Sequence, residues 1–232
     1  MSSGRWTCLR RWMGEWRMKI DRREVLRYLG WRGTPIEREL LEEIDGVCSE
    51  AEEKVEPRMI ASRFALQDGC LMGAALELQG NDIRRLLCGC DEALLFAATL
   101  GAQSERMLLR AQAQDAGKAL ILDAVLSAAI EAYCDEEEGK LRAGLNGRHL
   151  TRRFSPGYGD MPLEQSGEIV SLLQADRRIG LTVSASGLMI PRKSVTAVMG
   201  IGEGGVKGAG GGCGLCRQKD ACPYRKEQES EE

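Results

Sequence analysis

The sequence predicts an α+β domain. Helical periodicity over 36–54 and again in an alanine- and leucine-rich run over 115–138 supplies the helices. Short apolar runs bounded by turn residues, among them MIASRFAL and ALLFAATLG, supply the strands. Helices and strands alternate loosely, with no internal repeat and no regular βαβ period of the kind that builds a parallel sheet. A chain of 232 residues, 43% of them hydrophobic, has enough apolar side chain for a packed core.

A capped-looking opening, MKIDRREVLRYLG, starts at Met18. Thr34-Pro35-Ile36-Glu37 then has the form of a capping box, with proline at the first helical position. Ile36, Leu40, Leu41, Ile44, Val47 and Ala51 follow at three- and four-residue spacing, which predicts an amphipathic helix ending near Lys54. From Pro57 the pattern predicts a strand (MIASRFAL), a second strand (CLMGAALELQG), a short helix capped by Asn81 and a buried strand (ALLFAATLG). Helices over 102–114 and 115–138 come next, then the broken stretch RFSPGYGDMP at 153–162. A helix over 163–174 and β-rich segments at 180–184 and 194–201 complete the domain.

Residues 1–17, with four Arg and one Glu, read as an extension upstream of the domain; a basic, Trp-bearing docking tail is the alternative. The domain itself spans 18–202. Residues 203–232 read as a glycine-rich linker, a small cysteine-bearing knot and a disordered acidic end.

Lys and Arg number 32 against 35 Asp and Glu, so the formal charge is -3 and nucleic acid is not an expected partner. No run of about 18 apolar residues predicts a membrane span, and no apolar signal-peptide core is seen. The expected location is cytoplasmic, where the nine cysteines would be thiols or metal ligands rather than disulfides. Cys8, Cys48, Cys70, Cys88, Cys90 and Cys134 read as small buried hydrophobes. Cys213-x2-Cys216-x5-Cys222 has the thiolate spacing of a zinc or iron–sulfur site, with Cys88, Cys90, His149, an exogenous group or a partner as the fourth ligand; three free thiols are the alternative. His149 reads as a surface residue. Gly200-Ile201-Gly202-Glu203-Gly204-Gly205 matches GxGxxG, but more glycine follows it where a dinucleotide site needs a helix N-terminus.

One histidine assembles no Ser/His/Asp or Cys/His constellation, so no catalytic residue is assigned. Asp135-Glu136-Glu137-Glu138 reads as a solvated helix end. In Arg153-Phe154-Ser155-Pro156-Gly157-Tyr158, proline and glycine fix an irregular loop, Arg153 offers a bidentate fork and Tyr158 a flat face with a hydroxyl. A ligand site and a rigid structural connection fit these residues equally.

Arg153-x3-Gly157-Tyr158 with Pro162, Ser184-x-Ser186 and Pro191-Arg192-Lys193-Ser194-Val195 resemble the activation domain of vitamin B12-dependent methionine synthase, in its free-standing bacterial form. The resemblance runs from Met18 to Tyr224. It implies a C-shaped α+β domain with a bent antiparallel sheet and flanking helices. It also implies S-adenosylmethionine as ligand, with Arg153 on the methionyl carboxylate, Ser155 and Gly157 holding the adenosyl part through their backbone, and Tyr158 lining the pocket. Glu131 is the nearest match to a helix glutamate that reaches the ligand's polar end, and Asp21 to an N-terminal aspartate. In that family the domain, with an electron donor such as flavodoxin, returns cob(II)alamin to methylcobalamin. Methyl transfer to a strong nucleophile from a sulfonium requires placement rather than a general acid or base.

No segment of the sequence resembles a cobalamin-, homocysteine- or folate-binding domain. The expectation is therefore a trans-acting component that reactivates a separate cobalamin-dependent methionine synthase core, the cobalamin being carried by that partner. Two rival expectations are a reductive activator of another corrinoid methyltransferase, working through a metal or iron–sulfur tail, and a non-enzymatic module that recognises a corrinoid protein.

Overall fold

The computed structural model describes residues 19–203, except Arg32, Thr34, Asp68 and Ala75, together with the backbone of Cys8–Leu9. Cys8–Leu9 forms a short strand, β1. Asp21 then caps α1 (Arg22–Tyr28) by accepting a 2.8 Å bond from the Arg23 N–H, and Glu24 and Arg27 suit the two ends of the helix dipole. The next helix, α2 (Arg38–Lys54), begins after an extended Glu37 that makes no side-chain cap, later than the capping box predicts; Thr34 lies outside the described residues. An Arg38–Glu42 ion pair lies along its first turns, and Ile44, Val47, Cys48 and Ala51 form the buried stripe.

β2 (Arg58–Gln67) agrees with MIASRFAL. The second predicted strand does not persist: only Cys70–Leu71 (β3) pairs with β2, and the chain turns away through Gly73, whose φ is +77°. Beyond it a single bridge joins Cys70 to Glu77. α3 (Asn81–Leu86) follows, then β4 (Glu92–Thr99), α4 (Ala102–Gln114) and α5 (Ala116–Ala143). Asp115 caps α5 through the N–H groups of Gly117 and Lys118. The chain continues through β5 (His149–Leu150), α6 (Gln165–Leu173), α7 (Ala175–Ile179), β6 (Thr182–Val183), β7 (Met189–Ile190) and β8 (Ser194–Gly202).

The strands pair antiparallel in the order β1-β2-β4-β8-β5, with β3 folded onto β2 and β6-β7 forming a separate hairpin. β4 lies at the centre. Its odd and even residues face different cores, so alternation disappears and the strand reads as a continuous apolar run. Leu94, Phe96 and Ala98 pack with residues of α1, α2, α4 and α5. Ala93, Leu95 and Ala97 pack with residues of α3, α6 and α7. Helices therefore cover both faces. The middle of α5, from Ile121 to Cys134, is buried around most of its circumference, and its alanines let α1, α2 and α4 come close.

The broken stretch fastens this second layer. Phe154 exchanges two backbone bonds with Val198 of β8, at 3.0 and 2.8 Å. Six residues later the Asp160 carboxylate accepts from the N–H groups of Asn81 (2.7 Å) and Asp82 (3.0 Å), so α3 is capped across the chain and not by Asn81 as predicted. Gly159 sits beneath with φ +56°, and a Cβ there would run into the Asp82 carboxylate. Gln165, almost fully buried, donates to the Glu77 carbonyl and accepts from the Gln79 N–H. No helix among the described residues is long and apolar enough to cross a membrane.

Two outcomes follow. Phe96→Ala, at a fully buried position, is expected to cost about 3–5 kcal/mol in urea unfolding. The two α3 N–H groups hold the Asp160 carboxyl below its ordinary value of 3.8. A carboxyl with a lowered folded pKa contributes stability above the unfolded pKa and loses it as pH falls through the folded value. The stability gap between wild type and Asp160→Asn is therefore expected to be full at neutral pH and to close below pH 3.8; urea midpoints for both proteins from pH 7 to 2.5 check this (~4.5 pH units, spanning the Asp range).

Candidate functional site

Among the described residues, β8 has a partner along its whole length on the β4 side only. Opposite β4, the Thr151 N–H donates to the Gly200 carbonyl and Phe154 pairs with Val198, after which the chain leaves the edge. Bonding alternates along an antiparallel strand, so Thr196, two residues before Val198, turns its N–H and C=O toward the same open edge. RFSPGYG passes that edge as it departs. The Gly157 N–H donates to the Met161 carbonyl at 2.9 Å and the Tyr158 N–H to the Ser155 carbonyl at 3.1 Å, so Ser155–Met161 closes as a compact turn. Pro156 and Met161 point into the protein, while Gly157 and Tyr158 are exposed, Tyr158 at 63%.

Leu163 joins this turn to the β6-β7 hairpin. A Cβ placed on Gly157 would lie 3.2 Å from Leu163 Cδ1, and one on Gly187 would lie 4.0 Å from Cδ2. The hairpin is shaped by the Ser184-x-Ser186 motif. Their hydroxyls lie 2.8 Å apart, and Ser184 Oγ accepts from the Leu188 N–H at 3.1 Å. Between α6 and the hairpin opens a groove of about 730 Å³, lined by Leu163, Gly167, Gln174, Thr182, Ser184 and Gly187 among others. A smaller cavity of about 180 Å³ between α2, α4 and α5 reaches Lys118. It lies roughly 20 Å along α5 from Glu131 at the usual helical rise.

On the other side of β8 the Arg153 side chain, 14% exposed, enters a ring of carboxylates on α5. Its Nη2 lies 2.6 Å from Asp135 Oδ1 and 3.4 Å from Glu131 Oε2, and its Nη1 lies 3.2 Å from Glu138 Oε2. Nη1 is buried and the Glu138 contact, though an ion pair by distance, lacks the angle of a hydrogen bond. Burial opposes the charge on Arg153, but Cys134, Asp135 and Glu131 together hold its pKa above the ordinary guanidinium value. Glu138 is shared with Arg142, whose Nη1 donates to the Leu150 carbonyl of β5.

Glu131 and Arg153 are thus brought together, while Ser155, Gly157 and Tyr158 lie past Phe154 along the same edge. Asp21 is committed to capping α1. The acidic run 135–138 is not a helix end, because α5 continues to Ala143 and buries Glu137, which pairs with Lys140. The sequence reading missed Asp135 and Glu138 as partners of Arg153. Their signal was present in the i, i+4, i+7 spacing from Glu131, which places all three on one helix face. Pro191-Arg192-Lys193-Ser194-Val195 is an anchor: Arg192 bonds Glu105 of α4, and Lys193 reaches Ser127 and Asp123 of α5.

Cys213, Cys216 and Cys222 lie outside the described residues. Cys48 and Cys134 are buried as expected, but Cys70 and Cys88 are exposed and Cys90 is half-buried, because Cys70 begins the two-residue strand β3 and Cys88 and Cys90 lie between α3 and β4. The side chain of Cys8 is outside the described residues. His149 is exposed on β5, paired with Gly202. Among the described residues, no three His, Cys, Asp or Glu side chains converge as a metal site.

No known family model matches the chain, and no curated relative does. Thirteen solved chains match it in structure. One, described as the crystal structure of the MetH reactivation domain bound to AdoHcy, superposes with a TM-score of 0.55 at 16% identity, covering 75% of this chain and 71% of that one. The chain has a fold like that of the MetH reactivation domain: an α+β domain on an open antiparallel sheet.

Proposed function

We propose that the chain binds S-adenosylmethionine along the open edge of β8 and, acting in trans, supports reductive methylation of cob(II)alamin on a separate cobalamin-dependent methionine synthase. An electron donor such as flavodoxin completes the system. The observation that carries this reading is the open edge at Thr196, bounded by Arg153 and the Ser155–Met161 turn, in a fold like that of a reactivation domain solved with AdoHcy.

The residues present fit such a ligand. An extended strand edge offers peptide N–H and C=O groups to a purine, as any unpaired edge can. Tyr158 offers an exposed ring beside it. Arg153 with Glu131 and Asp135 provides both signs of charge for the zwitterionic end of an amino acid. When bound, the sulfonium supplies the methyl group and needs no proton from the protein. The chain's own part is to hold the ligand: Phe154–Val198 bonding and the Asp160 cap keep the turn rigid, which limits how far the nucleoside can stray.

A second reading, activation of another corrinoid methyltransferase through a metal-bearing tail, draws on the surroundings of β8's end. Cys90 Sγ lies so close to Gly200 that a Cβ there would meet it, Cys88 is exposed two residues before Cys90, and His149 pairs with Gly202. These groups flank the point from which the segment bearing Cys213, Cys216 and Cys222 departs. They supply thiolate and imidazole donors suited to zinc or an iron–sulfur cluster.

Isothermal titration with S-adenosylmethionine is expected to show one site per chain, weakened about tenfold or more in Arg153→Ala through loss of a charge-assisted contact. A folded protein without binding, or unchanged binding in the variant, sinks the proposal. For the second reading, anaerobically purified protein is expected to contain iron or zinc that falls in Cys90→Ser; a colourless, metal-free sample rules it out.

A further inference from the structure

A cation-lined cavity of about 180 Å³ stands apart from the β8 edge, between α2, α4 and α5. It is built on one face of α4, where Gln103, Met107 and Arg110 follow at i, i+4 and i+7. Lys54 at the end of α2 and Lys118 in the first turn of α5 close it. Met107, Ala111 and Leu122, all buried, form its apolar side. Its volume is below the ~300–1,000 Å³ usual for a drug-sized ligand, so it suits one small group.

Four cations, Lys54, Arg106, Arg110 and Lys118, line this cavity against two carboxylates. Both carboxylates are already committed. Glu50 is shared by Lys54 at 2.8 Å and Lys118 at 3.7 Å, and the Lys54 hydrogen bond, with the charge of both lysines, holds its carboxyl below the ordinary value. Asp115 accepts from the N–H groups of Gly117 and Lys118. Arg106 donates through Nε to Gln103 Oε1 at 2.8 Å, a bond that orients the guanidinium without neutralising it. Arg110, one turn on, makes no side-chain hydrogen bond or ion pair among the described residues. The lining therefore carries two positive charges in excess, in a chain whose formal charge is -3.

We propose that this cavity is a binding site for a small phosphomonoester. Arg106 and Arg110 are i, i+4 neighbours on α4, and each guanidinium presents a planar fork that matches phosphate oxygens. A carboxylate would balance one of the two excess charges. A phosphomonoester at neutral pH carries about -1.5 to -2 and balances both. The apolar side formed by Met107, Ala111 and Leu122 takes the carbon skeleton beyond the ester oxygen, which inorganic phosphate lacks.

The test uses the full chain at neutral pH and constant ionic strength, with phenyl phosphate, inorganic phosphate and benzoate as probes in titration calorimetry. Phenyl phosphate is expected to bind about fivefold or more tighter than inorganic phosphate, the worth of burying roughly 40 Å² of apolar surface. It is expected to bind about tenfold or more tighter than benzoate, the scale of one further charged hydrogen bond. Arg110→Ala removes a side chain that has no partner in the fold, and is expected to weaken phenyl phosphate about tenfold or more while the melting temperature stays at the wild-type value. Arg106→Gln, read in the same way, decides the matter if Arg110→Ala melts early. The S-adenosylmethionine titration of either variant is expected to match that of wild type, because the cavity is remote from the β8 edge. Inorganic phosphate or benzoate binding as tightly as phenyl phosphate overturns the proposal. So does phenyl phosphate affinity unchanged in the folded variants, or no binding of phenyl phosphate by the folded wild type. None of these outcomes touches the S-adenosylmethionine reading.

Discussion

Everything in this molecule is arranged around β4, a strand buried on both faces. A strand that presents leucine and phenylalanine to one side and leucine and alanine to the other cannot leave either side in water. Among the described residues, α1, α2, α4 and α5 close one face and α3, α6 and α7 close the other. β8, the next strand, inherits the same double burial through Ala197, Met199 and Ile201 on one face and Val198 on the other. At its outer edge the strand meets irregular chain.

That edge explains the glycine- and proline-rich segment. Between Phe154, tied to β8, and Asp160, tied to α3, five residues must turn back on themselves. Regular structure cannot do so in that length. The turn has two ends fixed by long-range hydrogen bonds, and its middle carries Gly157 and Tyr158 into solvent. Rigidity and exposure coincide there, which suits a surface that must hold a flat ligand without rearranging.

Electrostatics divides the site differently from its backbone. An arginine read in isolation is a receptor for anions. With Asp135, Glu131 and Glu138 about it, the same residue becomes the centre of a negative patch, and its charge serves to fold carboxylates inward. The run Asp135-Glu136-Glu137-Glu138 therefore does more than solvate a helix, since its members are divided among Arg153, Lys140 and Arg142.

Local pattern by itself determined α2, β2, β4, α4, α5 and β8, because burial on one or two faces leaves a period or a run that needs no partner to be recognised. The same pattern marked RFSPGYG as a segment without regular structure, and with the distant PRKSV and Ser184-x-Ser186 it pointed to the fold. It could not distinguish a cap supplied by Asn81 from one supplied by Asp160 almost eighty residues away. Nor could it end the strand predicted over 70–80, where the chain finds no neighbouring strand to pair with beyond Leu71. Only tertiary structure decided what Arg153 faces. Charge neutralisation depends on distance in space, and Arg153 meets Asp135 across eighteen residues of chain because α5 and β8 pack around the same core.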